Sequence, residues 1–321
     1  MARLTGKAAH DLLETIWRIR LFEERVAQLK RTVQAHGLIH LSIGGEGVAA
    51  AVCRQLRAED AVYSGHRAHG HALAKGAAMP ETMAELMGRV DGLCHGLGGS
   101  MHLVDRTHGF MGATGVVGGN LAMAVGDALC AQLQGGGRVA VVFFGDGAVQ
   151  AGNFHESVNL ASLWKLPVIF VCENNGMAEF TSREEHSNVG LVRDVVAPYG
   201  FDRATVDGSD VEAVWEAFGG FLRVGRRGRG PFLLECLTHR RRGHYEGDAQ
   251  EYRDELADRE WEQRDPLTRF QRVCLERRWV SGREVDRIQE AARAEVEAAV
   301  GFARASPMPS MELAQSLVYA S

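Results

Sequence analysis

Several things are missing from this chain, and each absence removes a class of function. No run of about 18 consecutive apolar residues occurs, so no segment is expected to cross a bilayer as a helix. The N-terminal stretch MARLTGKAAHDLLETIWRIRLFEERVAQL mixes charges into every turn. It has neither the apolar centre nor the small-residue cleavage site of a secretory leader. The six cysteines, at 53, 94, 130, 172, 236 and 274, form no CxxC pair and no regular spacing, as expected of reduced thiols in a cytoplasmic protein. Positive charge is not in excess either. With a net charge of −5 and a pI near 6.2, no global field exists to attract nucleic acid or an anionic membrane, and neither is expected as a partner. The local exception, RVGRRGRG from Arg223 to Gly230, carries no interleaved aromatics and precedes the strand-like PFLLEC. A solvated loop is expected there, with a docking patch as the alternative.

What is present is ordinary globular material: 321 residues, 45% hydrophobic, enough for one large domain or two small ones. Apolar positions Leu12, Ile16, Ile19, Val26 and Leu29 recur at helical spacing between Ala9 and Arg31. An Ala-rich helix is expected after the glycine turn of HLSIGGEG. AVYSGHRAHGHALAKG should pass from a short strand into a polar, histidine-loaded loop. A helix from Pro80 to Val90 leads into DGLCHGLGGSMHLVDRTHGFMGATGVVGGN, too glycine-rich for much regular structure and long enough to suggest function. RVAVVFF and LPVIFVCE read as strands buried on both faces of a parallel sheet. The helix NFHESVNLASLW between them, with Phe154, Val158, Ala161 and Trp164 on one face, makes a right-handed βαβ unit. GPFLLECLTH and a charged helical tail from Asp265 complete an α/β pattern. No internal repeat or low-complexity linker divides it.

The chemistry starts at the ends of that βαβ unit. A Gly-Asp-Gly, residues 145–147, closes the first apolar run, and 26 residues beyond Gly147 the pair Asn174 and Asn175 closes the second. In an open parallel sheet, ligands bind beyond the carboxyl ends of the strands, so Asp146 and the asparagines should face one crevice. A carboxylate and an amide oxygen are hard donors suited to Mg²⁺ with phosphate and water completing its octahedron. Gly145 and Gly147 would let the backbone bend and approach a phosphate. The alternative is an Asp and an Asn that merely cap turns. A dinucleotide fingerprint is not met, because Gly145, Gly147 and Gly152 have the wrong spacing, and Asn153 after Gly152 excludes a Walker loop.

The histidines admit several readings. His66, His69 and His71 lie close enough in sequence to suggest zinc, and Cys94 and His95 could add ligands, but no paired ligand spacing occurs and Arg67 would oppose a cation. His69 and His71 are expected to be solvated or to support neighbouring groups. His40, between Ile39 and Leu41, could be a satisfied core histidine, and His244 a loop histidine.

GDG followed by NN resembles the thiamin diphosphate motif. HLSIGGEG, HRAHGHALAKG, GLGGSMH, GATGVVGGN and RRRGHYEGDAQEYR narrow the resemblance to the α subunits of 2-oxo acid dehydrogenase E1 components. It covers nearly the whole chain, and within that family HRAHGH and GHYEGDAQ look most like the acetoin dehydrogenase type. The resemblance implies a thiamin diphosphate-binding α/β fold, with a central mostly parallel sheet flanked by helices on both faces. Residues 1–321 would form a single domain, the diphosphate and metal half of the site, with an N-terminal helical arm and a C-terminal helical tail.

It also implies roles. Asp146, Asn175 and the carbonyl of Met177 would hold Mg²⁺; Gly147 and Ala148 would contact the diphosphate; Arg67 would pair with a phosphate oxygen. Gly115 and Val117 would lie beside the aminopyrimidine. His40, His66 and His244 would line the substrate end or the diphosphate and carry protons. The implied reaction cleaves a C–C bond next to a carbonyl, in acetoin or a 2-oxo acid, and passes the fragment to the lipoyl group of a separate E2 acyltransferase. The alternatives are a biosynthetic relative with another acceptor and a non-catalytic assembly subunit. The activating Glu of this family comes from the E1 β subunit, so an α₂β₂ heterotetramer is expected. Where mitochondrial relatives carry a regulatory serine after the histidine matching His244, this chain has Tyr245. The loop from Arg240 to Arg253 is a candidate for ordering on cofactor binding.

Overall fold

The computed structural model describes residues 4–253 and 261–319. Six parallel strands form the central sheet: β1 (Ala61–Ser64), β2 (Phe110–Ala113), β3 (Ala140–Gly145), β4 (Val168–Asn174), β7 (Asp202–Asp207) and β8 (Phe232–Leu237). Their order is β2-β1-β3-β4-β8-β7. The register pairs Val142 with Phe170 and Gly145 with Glu173, so β3 and β4 end side by side. A small antiparallel hairpin, β5 (Met177–Ala178) and β6 (Thr181–Ser182), follows β4 directly.

The buried strands sort their side chains by alternation. Val141, Phe143, Ile169, Val171, Leu234 and Cys236 enter one apolar cluster; Val142, Phe144, Val168, Phe170, Cys172 and Leu233 enter the other. The sheet thus lies between two cores, which is why its central strands read as continuous apolar runs. The first core is closed by α1 (Gly6–Arg31), α2 (Glu46–Cys53), α3 (His69–Lys75), α4 (Met79–Leu86) and α9 (Val211–Gly225). The second takes α5 (Gly119–Gln134) and α6 (Gly152–Trp164). Two short helices, α7 (Arg183–His186) and α8 (Val192–Val195), link the hairpin to β7. After the undescribed residues come α10 (Pro266–Glu276), α11 (Gly282–Ala305) and α12 (Met311–Ser316).

Helix α1 is capped by Thr5, whose hydroxyl accepts from Ala8 N, and all five expected apolar positions are buried. Arg18 pairs with Glu295 of α11, and Trp17 donates to Gln271 of α10, so the first and last helices are stitched together. Deeper in, Arg20 pairs with Glu46 and with Asp265, and Asp265 also receives Arg241 at 2.7 Å. This network ties α1 and the start of α10 to the root of the loop that carries Arg240 and His244. Among the described residues no helix is long and apolar enough to cross a membrane.

Three local expectations are corrected. The stretch after Arg67 is a helix: α3 is buried from His69 to Lys75, because its alanines and Leu73 pack on the first core. On α6, Phe154, Val158 and Ala161 are buried, but Trp164 is 45% exposed, since the helix ends there and Lys165 turns left-handed. Strand β7 and helix α9 were not foreseen. β7 is a half-exposed edge strand, DRATVD, without a hydrophobic run, and α9 buries only Val211, Val214, Phe218, Leu222 and Gly225. The basic stretch that follows is partly anchored, with Arg226 paired to buried Asp60 at 2.7 Å.

Candidate active site

Five of the six strands deliver a candidate residue beyond their carboxyl ends. β1 leads to His66 and Arg67, β2 to Gly115 and Val117, β3 to Asp146, β4 to Asn175, and β8 to His244. This is the ligand-binding edge of an open parallel sheet.

The acidic end sits on β3 and β4. Asp146 is fully buried, and its Oδ1 accepts from the Asn175 backbone amide at 3.2 Å. Its Oδ2 has no hydrogen-bond partner. Burial pushes the Asp146 carboxyl above its ordinary pKa, opposed by Arg183 and the Asn175 amide. Asn175 Oδ1 accepts from Met177 N at 3.1 Å, and Asn174 instead turns inward, donating to buried Glu235 at 2.7 Å. A turn over Asp146–Gln150 brings Ala148 inward. Gly147 is required there: a Cβ would lie 2.8 Å from Ala178 Cβ. Gly145 has ordinary extended geometry (φ −86°, ψ 161°), so it makes no special bend, and the need for glycine is the close approach at Gly147.

The basic end is a trio of imidazoles. His40, His66 and His244 have ring centroids 4.6, 5.0 and 5.5 Å apart. Burial and the nearby cations keep all three neutral at ordinary pH. Burial and His66 push His40 down to about 2, burial and Arg67 push His66 to about 3, and burial and Arg67 push His244 to about 4. His40 Nδ1 is buried without a partner. Arg67 donates to the carbonyls of Leu41 and His244, at 2.9 and 2.6 Å, and burial with Arg240 nearby lowers its pKa to about 9. Arg240 lies 3.3 Å from His244 Nδ1 and donates to Glu179 O and Tyr252 Oη. Among the described residues, neither arginine forms a carboxylate ion pair. Asp248 closes the loop, accepting from His244 N and Tyr252 Oη, both at 2.6 Å. A cavity of about 400 Å³ lies against the outer side of this loop, lined by Lys30, Arg31, Arg242, Tyr245 and Glu246, without His40 or His66.

The hairpin joins the two ends: Ala178 abuts Gly147, and Phe180 packs edge-on against His244 at 5.9 Å. A Cβ on Gly115 would meet Met101 and His102 at ordinary van der Waals distance, and Val117 is 54% exposed. The Thr114 amide bonds to Ser64 O, keeping that loop beside β1. Its neighbour is organised by buried Glu85, which accepts from the amides of Cys94, Gly96, Gly98 and Gly99.

The zinc grouping does not assemble. His69 is spent on Glu23 and Ser100, and His71 on Ser64 with its ring stacked on Phe143. Both are buried core histidines, not solvated ones. The histidines that do converge, His40, His66 and His244, place ligand atoms within 4.8 Å, but Arg67 and Arg240 oppose a cation there.

The sequence pattern of the family described as Dehydrogenase E1 component matches residues 14–312. This chain belongs to the dehydrogenase E1 component family. The E1 chain is 40% identical over 320 residues to the α subunit of acetoin:2,6-dichlorophenolindophenol oxidoreductase from Bacillus subtilis, covering 99% of this chain and 95% of that one. It is 42% identical to the Cupriavidus necator protein of the same name, over 97% and 95% of the two chains. The pyruvate dehydrogenase E1 component subunit α of Rhizobium meliloti is 38% identical over 91% and 84%.

The donors present fit a metal–diphosphate group. A buried carboxylate oxygen is left without a hydrogen-bond partner beside an asparagine, a glycine lets the backbone come close, and Arg67 and Arg240 pair with no carboxylate among the described residues. Sequence reasoning missed Arg183, His186, Glu85 and Tyr252 as parts of this edge, and named Arg240 only as the start of a loop. The three-arginine run was a signal for Arg240; nothing in the sequence signalled Arg183.

Proposed function

We propose that this E1 chain is the α subunit of a thiamin diphosphate-dependent dehydrogenase acting on acetoin, holding the diphosphate and Mg²⁺ half of a site that a β subunit completes in an α₂β₂ assembly. The observation that carries the reading is Asp146 Oδ2, buried without a hydrogen-bond partner on a carboxylate whose other oxygen accepts from the Asn175 amide. Asp146, Asn175 and the Met177 carbonyl would hold Mg²⁺. Gly147 and Ala148 would cradle the diphosphate, and Gly115 and Val117 would border the ring at its far end. Thiamin diphosphate supplies, when bound, a carbon nucleophile and an electron-accepting ring for breaking the bond beside a carbonyl.

The chain's own residues orient and move protons. Arg67 and Arg240 offer a desolvated cationic wall for the anion. His40, His66 and His244, neutral in the free chain, are acceptors. An anion beside them raises their pKa values toward neutrality, the range in which proton transfer in both directions is fastest. Phe180 packs edge-on against His244, and His40 is buried beside it. The cleaved fragment would pass to the lipoyl group of an E2 acyltransferase in the cytoplasm. Pyruvate is the second reading, supported by the pyruvate dehydrogenase relatives.

Turnover of acetoin, pyruvate and branched 2-oxo acids by the α/β pair, with an artificial electron acceptor, tests this. Acetoin should be the best substrate, with α alone inactive. Full activity of α alone, or binding of thiamin diphosphate that ignores Asp146→Ala, would overturn it.

A further inference from the structure

Two basic side chains outside the family motif converge on Asp146. Arg183 begins α7, directly after the hairpin, and its side chain is 6% exposed. Its Nε and Nη2 donate to the carbonyls of Gly190 and Val189, at 2.7 and 2.9 Å, which fixes the plane of the guanidinium. The remaining Nη1 has no hydrogen-bond partner and stops 3.7 Å from Asp146 Oδ2. One turn later, His186 is 11% exposed with both ring nitrogens unpartnered, and its Nε2 lies 3.8 Å from the same oxygen.

The gap is the informative feature. Other arginine–aspartate pairs in this chain, Arg20 with Asp265 and Arg226 with Asp60, close to 2.7 Å. A separation of 3.7 Å is too long for a hydrogen bond. Arg183 cannot close it, because two of its three nitrogens are already held. The result is an acceptor and two donors, all buried, all aimed at one point and none satisfied.

We propose that Arg183 and His186 are anion-contacting residues of the metal–diphosphate site, and that they make cation binding conditional on the diphosphate. A lone divalent cation at Asp146 meets a fixed guanidinium beside its ligand and is repelled. A cation arriving with a diphosphate brings oxygens that accept from Arg183 Nη1 and His186, turning the same charge into an attraction. The two ligands then bind cooperatively, by the reciprocity that governs any pair of coupled sites.

This rests on the reading of Asp146 as a metal ligand, and the test separates the two. Mn²⁺ binding to the α/β complex is followed by electron paramagnetic resonance of free Mn²⁺, with and without inorganic diphosphate. The wild-type complex should bind Mn²⁺ about tenfold or more tightly with diphosphate present. In Arg183→Gln and in His186→Gln that ratio should shrink by about threefold or more, with Mn²⁺ alone binding more tightly and Mn²⁺ with diphosphate more weakly. The His186 ring makes no hydrogen bond in the fold, so His186→Gln stands even where Arg183→Gln disturbs residues 187–190. An unchanged ratio in both variants, with Asp146→Asn still abolishing binding, would overturn this inference alone. Wild-type binding indifferent to Asp146→Asn would overturn the metal reading and the inference together.

Discussion

The two ends of the site are built in opposite ways. At the acidic end, one carboxylate and one amide ride on neighbouring strand ends whose register is set by a buried βαβ unit. At the basic end, three imidazoles and two guanidiniums come from segments spread from His40 to His244, held by backbone carbonyls and by Asp248. One end presents an unsatisfied negative atom on a rigid frame; the other presents unpaired positive charge on loops. On the proposed reading, a metal-bound polyanion would bridge that polarity and complete both ends.

The largest effect should come from removing the negative atom. Asp146→Ala should weaken metal–diphosphate binding more than about a hundredfold, beyond the loss usual for a residue that merely supports a ligand. Calorimetry of the α/β complex would measure it. The same position should show the reverse sign in stability. The buried carboxyl has a raised pKa, so the folded state binds more protons than the unfolded and loses stability as pH rises above the ordinary carboxylate range. Asp146→Asn should therefore raise the melting temperature of the ligand-free protein at neutral pH, and a lower one would contradict the account.

Next comes the frame itself. Gly147→Ala puts a Cβ 2.8 Å from Ala178 Cβ, so the turn or the hairpin must shift, at about 1–3 kcal/mol. Denaturant midpoints would report the stability cost, and diphosphate affinity should fall with it.

The smallest expected effects belong to the basic end. His40, His66 and His244 are neutral when folded and become cationic in the unfolded chain below about pH 6.5. The unfolded state takes up more protons there, so these groups erode stability as pH falls from about 6.5 toward about 4. His40→Asn should flatten that slope, which thermal melts across the range would reveal; an unchanged slope would place the acid sensitivity elsewhere. Arg240→Gln removes a cation beside His244 and should raise the imidazole pKa, read from its ring proton shifts.

The acidic end was legible because its signal is local. Apolar strands announce themselves by composition, and polar residues at their ends have few structural reasons to be there, so Asp146 and Asn175 could be placed before any coordinates. The family motif supplied His40, His66 and His244 as separate residues, but not that their rings would touch. That depends on where three distant segments end, which no spacing encodes. The HGHALAK stretch misled for a related reason: its glycine and histidines read as polar loop, while burial against the first core and bonds to Glu23, Ser100 and Ser64 make it a helix. Edge strand β7 and the approach of Arg183 to Asp146 were hidden because each is decided by tertiary neighbours rather than by its own sequence.

The hairpin that runs from Met177 to Ser182 has a consequence for how such enzymes diversify. Its first strand leans on the Asp146–Gln150 turn through Ala178, and its tip leans on the His244 imidazole through Phe180. On the proposed reading, altering Phe180 to admit a bulkier substrate would disturb, through the hairpin, the turn that holds Gly147 in the same step.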